Sequence, residues 1–125
     1  MRYMMFVVAD PDAAAEAETE AAAGAEAGAA PGDLTIEEWL ADVDGRGKRI
    51  IGERLRPLSD ATTVRVSRGQ VLVTDGPFTE SKEWICGFDI LECEDLDEAI
   101  AIAARHPMAV GGKLELRPFW PGEHA

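Results

Sequence analysis

Two segments of the chain, residues 2–9 and 84–91, are apolar at both odd and even positions. Successive side chains of a strand point to opposite faces of its sheet. A strand with one face in solvent therefore needs apolar residues only at alternate positions. A strand that is apolar on both parities is typical of a sheet covered on both faces. We therefore predict that both segments are strands with no face left to solvent.

Shorter β-rich runs predict the remaining strands. Two of them flank a three-residue connection that contains glycine and predicts a β-hairpin. The last run alternates leucine with charged residues, which predicts a strand with one wet face. The runs are 50–55 before Pro57, 62–66 and 70–74 around Ser67-Arg68-Gly69, and 113–117 before Pro118.

The first helix is predicted from apolar spacing behind a capping signal. Thr35 and Glu38 have the spacing of a capping box, and Asp33 is a rival cap. Apolar residues then follow the i, i+3, i+4, i+7 rule of a helix with one buried face. The predicted buried stripe is Ile36, Trp39, Leu40 and Val43, and the helix is predicted to end at Gly45 and Gly47.

The second helix is predicted behind Asp95, a residue that favours the N-cap position. Pro107 disfavours helical geometry at His106, so the helix should end near Arg105. The predicted buried stripe is Leu96, Ala99, Ile100 and Ala103.

The predicted order is β-α-β-β-β-β-α-β, and strands grouped between helices favour an α+β fold. Two helices can cover only one face of a four- or five-stranded sheet, so the second face needs another cover. A second copy packed sheet to sheet in a C2 homodimer would supply it. The alternative cover is the Ala- and Glu-rich segment 13–30, folded back over the sheet. We interpret this segment, within about 13–32, as a solvated insertion in a single domain of residues 1–125.

Charge and composition narrow the classes of function. The 24 acidic residues outnumber the 12 basic ones, for a formal net charge of −12, so the chain should repel nucleic acid. Seven bases lie within residues 45–72, which suits a solvated face or a local anion site. The longest apolar runs are far shorter than the roughly 20 residues of a membrane span. We expect a cytoplasmic protein that binds neither nucleic acid nor membrane.

The stretch from Thr74 to Glu83 contains the sequence Asp-Gly-Pro-Phe. Asp, Gly and Pro are turn formers, each for its own backbone reason. One interpretation is a turn that only reverses the chain. The other is an Asp75 carboxylate held at a rigid strand end and facing a pocket.

The stretch also resembles the DGPF-motif branch of the YCII-related domain family. The resemblance runs through most of the chain. It implies a ferredoxin-like sheet with helices on one face, forming a dimeric α+β barrel. It also implies a cleft with a His–Asp pair that acts on small molecules, although this chain has no histidine before His106. Members of the branch are associated with extracytoplasmic-function sigma factors. The segments that carry the resemblance are the opening strand 2–9 and residues 52–57, 73–83, 87–88, 97–99, 106–107 and 115–118.

Asp75 and His106 are the candidate catalytic residues. A buried Asp75 could act as a general acid or base, and His106 lies at the end of a helix, where a capping role is the alternative. No glycine-rich phosphate loop, nucleophile elbow or zinc pattern is present, so we predict neither cofactor nor metal. The candidate ligand-binding residues, for each of which a structural role is the alternative, are Arg54, Phe78, Lys82, Glu83 and Arg117.

Three functions fit these patterns. The first is a small-molecule-binding dimer with cofactor-independent enzymatic activity that uses Asp75. The second is a non-catalytic regulatory dimer associated with a sigma factor. The third is a structural dimer without a ligand.

Overall fold

The computed structural model describes residues 1–12, 32–77 and 82–121. The predicted order of strands and helices is confirmed across these residues. The insertion predicted at about 13–32 lies outside them, apart from Gly32. Within the described ranges, no helix has the length and apolar character needed to cross a membrane. The elements are β1 (Arg2–Ala9), α1 (Ile36–Gly45), β2 (Arg49–Arg54), β3 (Thr62–Ser67), β4 (Gln70–Asp75), β5 (Trp84–Glu92), α2 (Leu96–Arg105) and β6 (Gly112–Pro118).

Four of the strands form an antiparallel sheet in the order β2-β5-β1-β6, while β3 and β4 pair only with each other. The fold is α+β in class, and its main sheet has the strand order of a ferredoxin-like fold. Along the chain, the β3–β4 hairpin is inserted between β2 and β5. The hairpin is a separate two-stranded ribbon and adds no strand to the main sheet.

Both helices begin at the predicted caps. The hydroxyl of Thr35 accepts from the Glu38 backbone N–H at 3.1 Å, and the Glu38 side chain accepts from the Thr35 N–H at 3.0 Å. These two bonds complete the capping box. Asp95 accepts from the Glu98 N–H at 2.9 Å. The second helix ends at Arg105 as predicted, because His106, the residue before proline, is extended.

The core lies on one face of the sheet. Tyr3, Met5 and Val7 of β1 belong to the same buried cluster as Trp39 of α1 and Ile102 of α2. The Trp39 indole N–H donates to the Ile102 carbonyl at 2.9 Å, which ties α1 to α2 through the core. The buried side chains of both helices all belong to this cluster, so the helices pack on a single face.

The opposite face of the sheet is also apolar at its centre. Met4 lies opposite Ile90, and Phe6 lies opposite Phe88. These four side chains are only partly buried, whereas the residues between them in β1 are buried. We call this surface the open face. The open face explains why odd and even positions of β1 and β5 are both apolar, although the helices cover only one face of the sheet.

Candidate functional site

A cavity of about 490 Å³ lies between the sheet and α1. Its floor is formed by β2 and β5, which lie side by side in the sheet. Its walls come from α1 and from the short 3-10 turn after α2. Most of the lining is apolar and includes Val7, Trp39, Leu40, Cys86 and Met108; the polar side chains include Arg49, Asp89 and His106. A mostly apolar cavity with a few polar groups is the usual form of a small-molecule site.

Glycine at position 52 allows a carboxylate to lie against the cavity floor. Gly52 of β2 is opposite Asp89 of β5. A Cβ at position 52 would lie 1.9 Å from Asp89 Oδ1 and 2.7 Å from the Phe88 carbonyl oxygen. Real Cβ atoms do not approach so closely, so any larger residue would displace Asp89.

Asp89 is 6% exposed and forms a salt bridge with Arg49. Arg49 Nε donates to Asp89 Oδ1 at 2.7 Å, and its Nη2 donates to the Gly52 carbonyl at 2.9 Å. Arg49 Nη1 reaches Asp44 at 3.3 Å. Burial nevertheless raises the pKa of Asp89, and Arg49 opposes that shift. The guanidinium is therefore fully engaged, while only one oxygen of Asp89 is held.

His106 is 4% exposed and neutral. Burial lowers its pKa to about 4. The Met108 backbone N–H donates to His106 Nδ1 at 3.0 Å, so the proton of the neutral ring lies on Nε2. The ring makes an edge contact with Trp39, with 4.8 Å between centroids. His106 therefore caps the 3-10 turn, the alternative that the sequence left open, and also lines the cavity.

Asp89 Oδ2 and His106 Nε2 both reach the cavity. Neither atom has a hydrogen-bond partner among residues 1–12, 32–77 and 82–121. Over the same residues, no fully enclosed side-chain nitrogen or oxygen lacks a partner, so both atoms retain some exposure. Both residues line the cavity, which explains the remaining exposure of these two atoms. One acceptor and one donor are thus available to a ligand in an apolar setting.

Arg54 is the second predicted site residue at this cavity. It is the last residue of β2 and lies opposite Gly87, which has no side chain to cover it. Arg54 and His106 are therefore brought together by the fold, although the sequence placed them on unrelated elements.

The described residues of the DGPF stretch, 74–77 and 82–83, are not among those that line this cavity. Asp75 is exposed at the end of β4, on the separate hairpin, and is not among the residues that line this cavity. Its catalytic role stays a prediction. Glu83 accepts from Lys113 Nζ at 2.5 Å. Lys82 is exposed, and Phe78 lies outside the described residues.

Arg117 belongs to the open face, on the opposite side of the sheet from this cavity. Its guanidinium lies 5.5 Å from the centroid of the Phe6 ring, and Nη2 donates to Glu115 at 2.6 Å. A ligand-binding role at this cavity is not supported by that position.

Sequence reasoning missed Asp89 and Arg49. Asp89 is the single charged residue within the otherwise uncharged run 85–91, and a carboxylate in a strand apolar on both faces was the available signal. Its partner could not be read because strand pairing, which brings β2 beside β5, is not encoded in local periodicity. Among the residues that the structure describes, no three His, Cys, Asp or Glu side chains form a group that could hold a metal ion.

Comparison with known proteins gives three findings. The family model of the YCII-related domain matches residues 1–122. The uncharacterized protein R00369 of Rhizobium meliloti (strain 1021) is 43% identical over 75 residues, which span 56% of this chain and 60% of that protein. The structure of 5-chloro-2-hydroxyhydroquinone dehydrochlorinase (TftG) from Burkholderia phenoliruptrix AC1100, in complex with 2,5-dihydroxybenzoquinone, is 16% identical and covers 99% of this chain and 98% of its own. Its TM-score is 0.46, too low to transfer an activity.

Proposed function

We propose that this chain, which belongs to the YCII-related domain family, is a small-molecule-binding protein whose ligand occupies the cavity between the sheet and α1. The observation that carries the proposal is the pair of buried polar residues, Asp89 and His106, that line one apolar cavity. A buried polar atom without a hydrogen-bond partner costs free energy. A ligand that forms hydrogen bonds with both Asp89 Oδ2 and His106 Nε2 would remove that cost.

The two groups define complementary demands on the ligand. Asp89 Oδ2 accepts a hydrogen bond, and His106 Nε2–H donates one. A hydroxyl or carbonyl group on an apolar body meets these demands. The cavity volume of about 490 Å³ suits a molecule of one or two rings.

The same pair supports cofactor-independent proton transfer as the reaction class. Burial raises the pKa of Asp89, which makes its carboxylate a stronger base than an exposed one. In the proposed step, Asp89 Oδ2 takes a proton from a carbon next to the ligand carbonyl. His106 Nε2–H then stabilises the enolate oxygen that forms, and return of the proton at another atom gives an isomer.

A thermal-shift screen of small organic molecules tests the site. A ligand at 100 times its Kd should add about 2.7 kcal/mol to the free energy of unfolding. The screen uses wild type, Asp89→Asn and Asp75→Asn, because the last variant removes the carboxylate predicted from the motif. Stabilisation lost in Asp89→Asn and retained in Asp75→Asn supports the cavity. The reverse pattern would move the site to the motif and overturn this proposal.

We also propose that the protein is a homodimer packed through its open faces. The support is the apolar row formed by Met4, Phe6, Phe88 and Ile90, to which neither described helix contributes a covering side chain. Analytical ultracentrifugation of wild type and Phe88→Arg tests it. A wild-type dimer that becomes a monomer in the variant supports the proposal, and a folded wild-type monomer at micromolar concentration refutes it.

A further inference from the structure

A second cavity of about 440 Å³ lies beside the first. Arg54 and Cys86 line both cavities, so the two meet at these side chains. The other residues that line the second cavity are Leu55, Arg56, Pro57 and Trp84. Two cavities that share walls can accept the two ends of one molecule.

The two cavities differ in charge. The lining of the first contains two acidic residues, Asp89 and Glu53, together with Arg49 and Arg54, and Asp89 is paired with Arg49. The second is lined by Arg54 and Arg56, and none of the described residues in its wall is acidic. Opposite charges balance in the lining of the first cavity, whereas that of the second is basic, so a negatively charged group is attracted more strongly to the second.

Arg54 is the group best placed to receive that charge. Within residues 1–12, 32–77 and 82–121, no side chain or carbonyl oxygen accepts a hydrogen bond from its guanidinium, and no carboxylate lies within ion-pair distance. Arg56 is less available, since its Nε donates to Asp60 Oδ2 at 3.0 Å. An unengaged guanidinium can hold a carboxylate through two parallel hydrogen bonds.

The remaining wall suits the body of such a molecule. Trp84 is 36% exposed and Leu55 is 45% exposed, so both present apolar surface at the rim. An aromatic face beside an arginine favours a flat or aliphatic segment next to the anionic group.

We infer that the natural ligand is an elongated organic acid. Its carboxylate binds Arg54 in the second cavity, and its hydroxyl or carbonyl end reaches Asp89 and His106 in the first. This inference rests on the proposed function, because it takes the first cavity as the site of the polar end.

The test compares two probes of equal shape, 3-(4-hydroxyphenyl)propionate and its neutral primary amide. Binding is followed by the indole N–H signals in ¹H–¹⁵N NMR spectra, since the chain has three tryptophans. Trp39 lines the first cavity and Trp84 the second. The signals are assigned with Trp84→Phe and Trp120→Phe.

The carboxylate is expected to shift both the Trp39 and the Trp84 signals and to bind at least about tenfold more tightly than the amide. Arg54→Gln should abolish that preference. Arg68→Gln, which removes the same charge from the β3–β4 connection, should preserve it. The Arg68 control separates a local contact from a change in net charge.

Three results would overturn the inference: equal affinity for the two probes, a preference unchanged in Arg54→Gln, or a failure of the carboxylate to shift both indole signals. If the probes shift Trp39 with equal affinity, the proposed function stands and only the anion site is lost. If stabilisation in the separate thermal-shift screen does not depend on Asp89, the proposed function itself fails.

Discussion

Acidification from pH 7.5 to pH 5 is expected to destabilise this protein through His106. Burial lowers the pKa of His106 from 6.5 to about 4 in the folded state. An unfolded chain binds the proton near pH 6.5, whereas the folded chain resists it until about pH 4. The free energy of unfolding therefore falls as the pH drops through this window, because the unfolded state binds more protons.

The magnitude follows from the two pKa values. Each unit of difference corresponds to 1.36 kcal/mol, so the full effect below pH 4 is about 3 kcal/mol. At pH 5 the loss is about 2 kcal/mol, while above pH 7 it is close to zero. Protonation of Nδ1 would also remove the hydrogen bond from Met108 N–H, so the effect has a structural counterpart at the 3-10 turn.

The assay is urea denaturation of wild type and His106→Asn at pH 7.5 and pH 5. Asparagine keeps a side-chain acceptor for the Met108 N–H but does not titrate. The difference in free energy of unfolding between the two proteins should change by about 2 kcal/mol between these pH values, to the disadvantage of wild type. His124→Asn, which replaces the only other histidine, should retain the wild-type change. A difference independent of pH would refute the assignment of a buried, neutral His106.

Four further variants probe the site and the fold by urea denaturation. Gly52→Ala should cost at least about 2 kcal/mol, because its Cβ would overlap Asp89. Gly45→Ala, with open space around its Cβ, should instead stabilise by about 0.5 kcal/mol, and equal effects would contradict the floor geometry. Thr35→Ala should cost about 1 kcal/mol through loss of the capping box, and no loss would refute the role of that cap. Arg49→Met should cost about 3 kcal/mol at pH 8 by leaving a buried carboxylate unpaired. This cost should shrink at pH 5 as Asp89, whose pKa is already raised, takes up a proton; a cost that does not vary with pH would refute the explanation.

The candidate site was only partly accessible from the sequence. The sequence predicted His106 as a catalytic residue and Arg54 as a ligand-binding residue, and both line the cavity. Asp75 was predicted from a turn motif, but a turn motif does not specify whether a cavity lies beside the carboxylate. Asp89 was not predicted, because it lies in an apolar run. Its carboxylate lines the cavity only because Gly52, on the neighbouring strand, has no side chain in that space.

Local patterns by themselves determined the order of elements, the helix caps at Thr35 and Asp95, and the two-sided apolar character of β1 and β5. These are properties of neighbouring residues, set by backbone geometry, capping and burial. Tertiary structure alone decided that β3 and β4 leave the main sheet and that Arg49, Asp89 and His106 line one cavity. The physical reason is that strand pairing and helix docking join residues distant in the chain, and periodicity reports which face a residue occupies but not what it meets there.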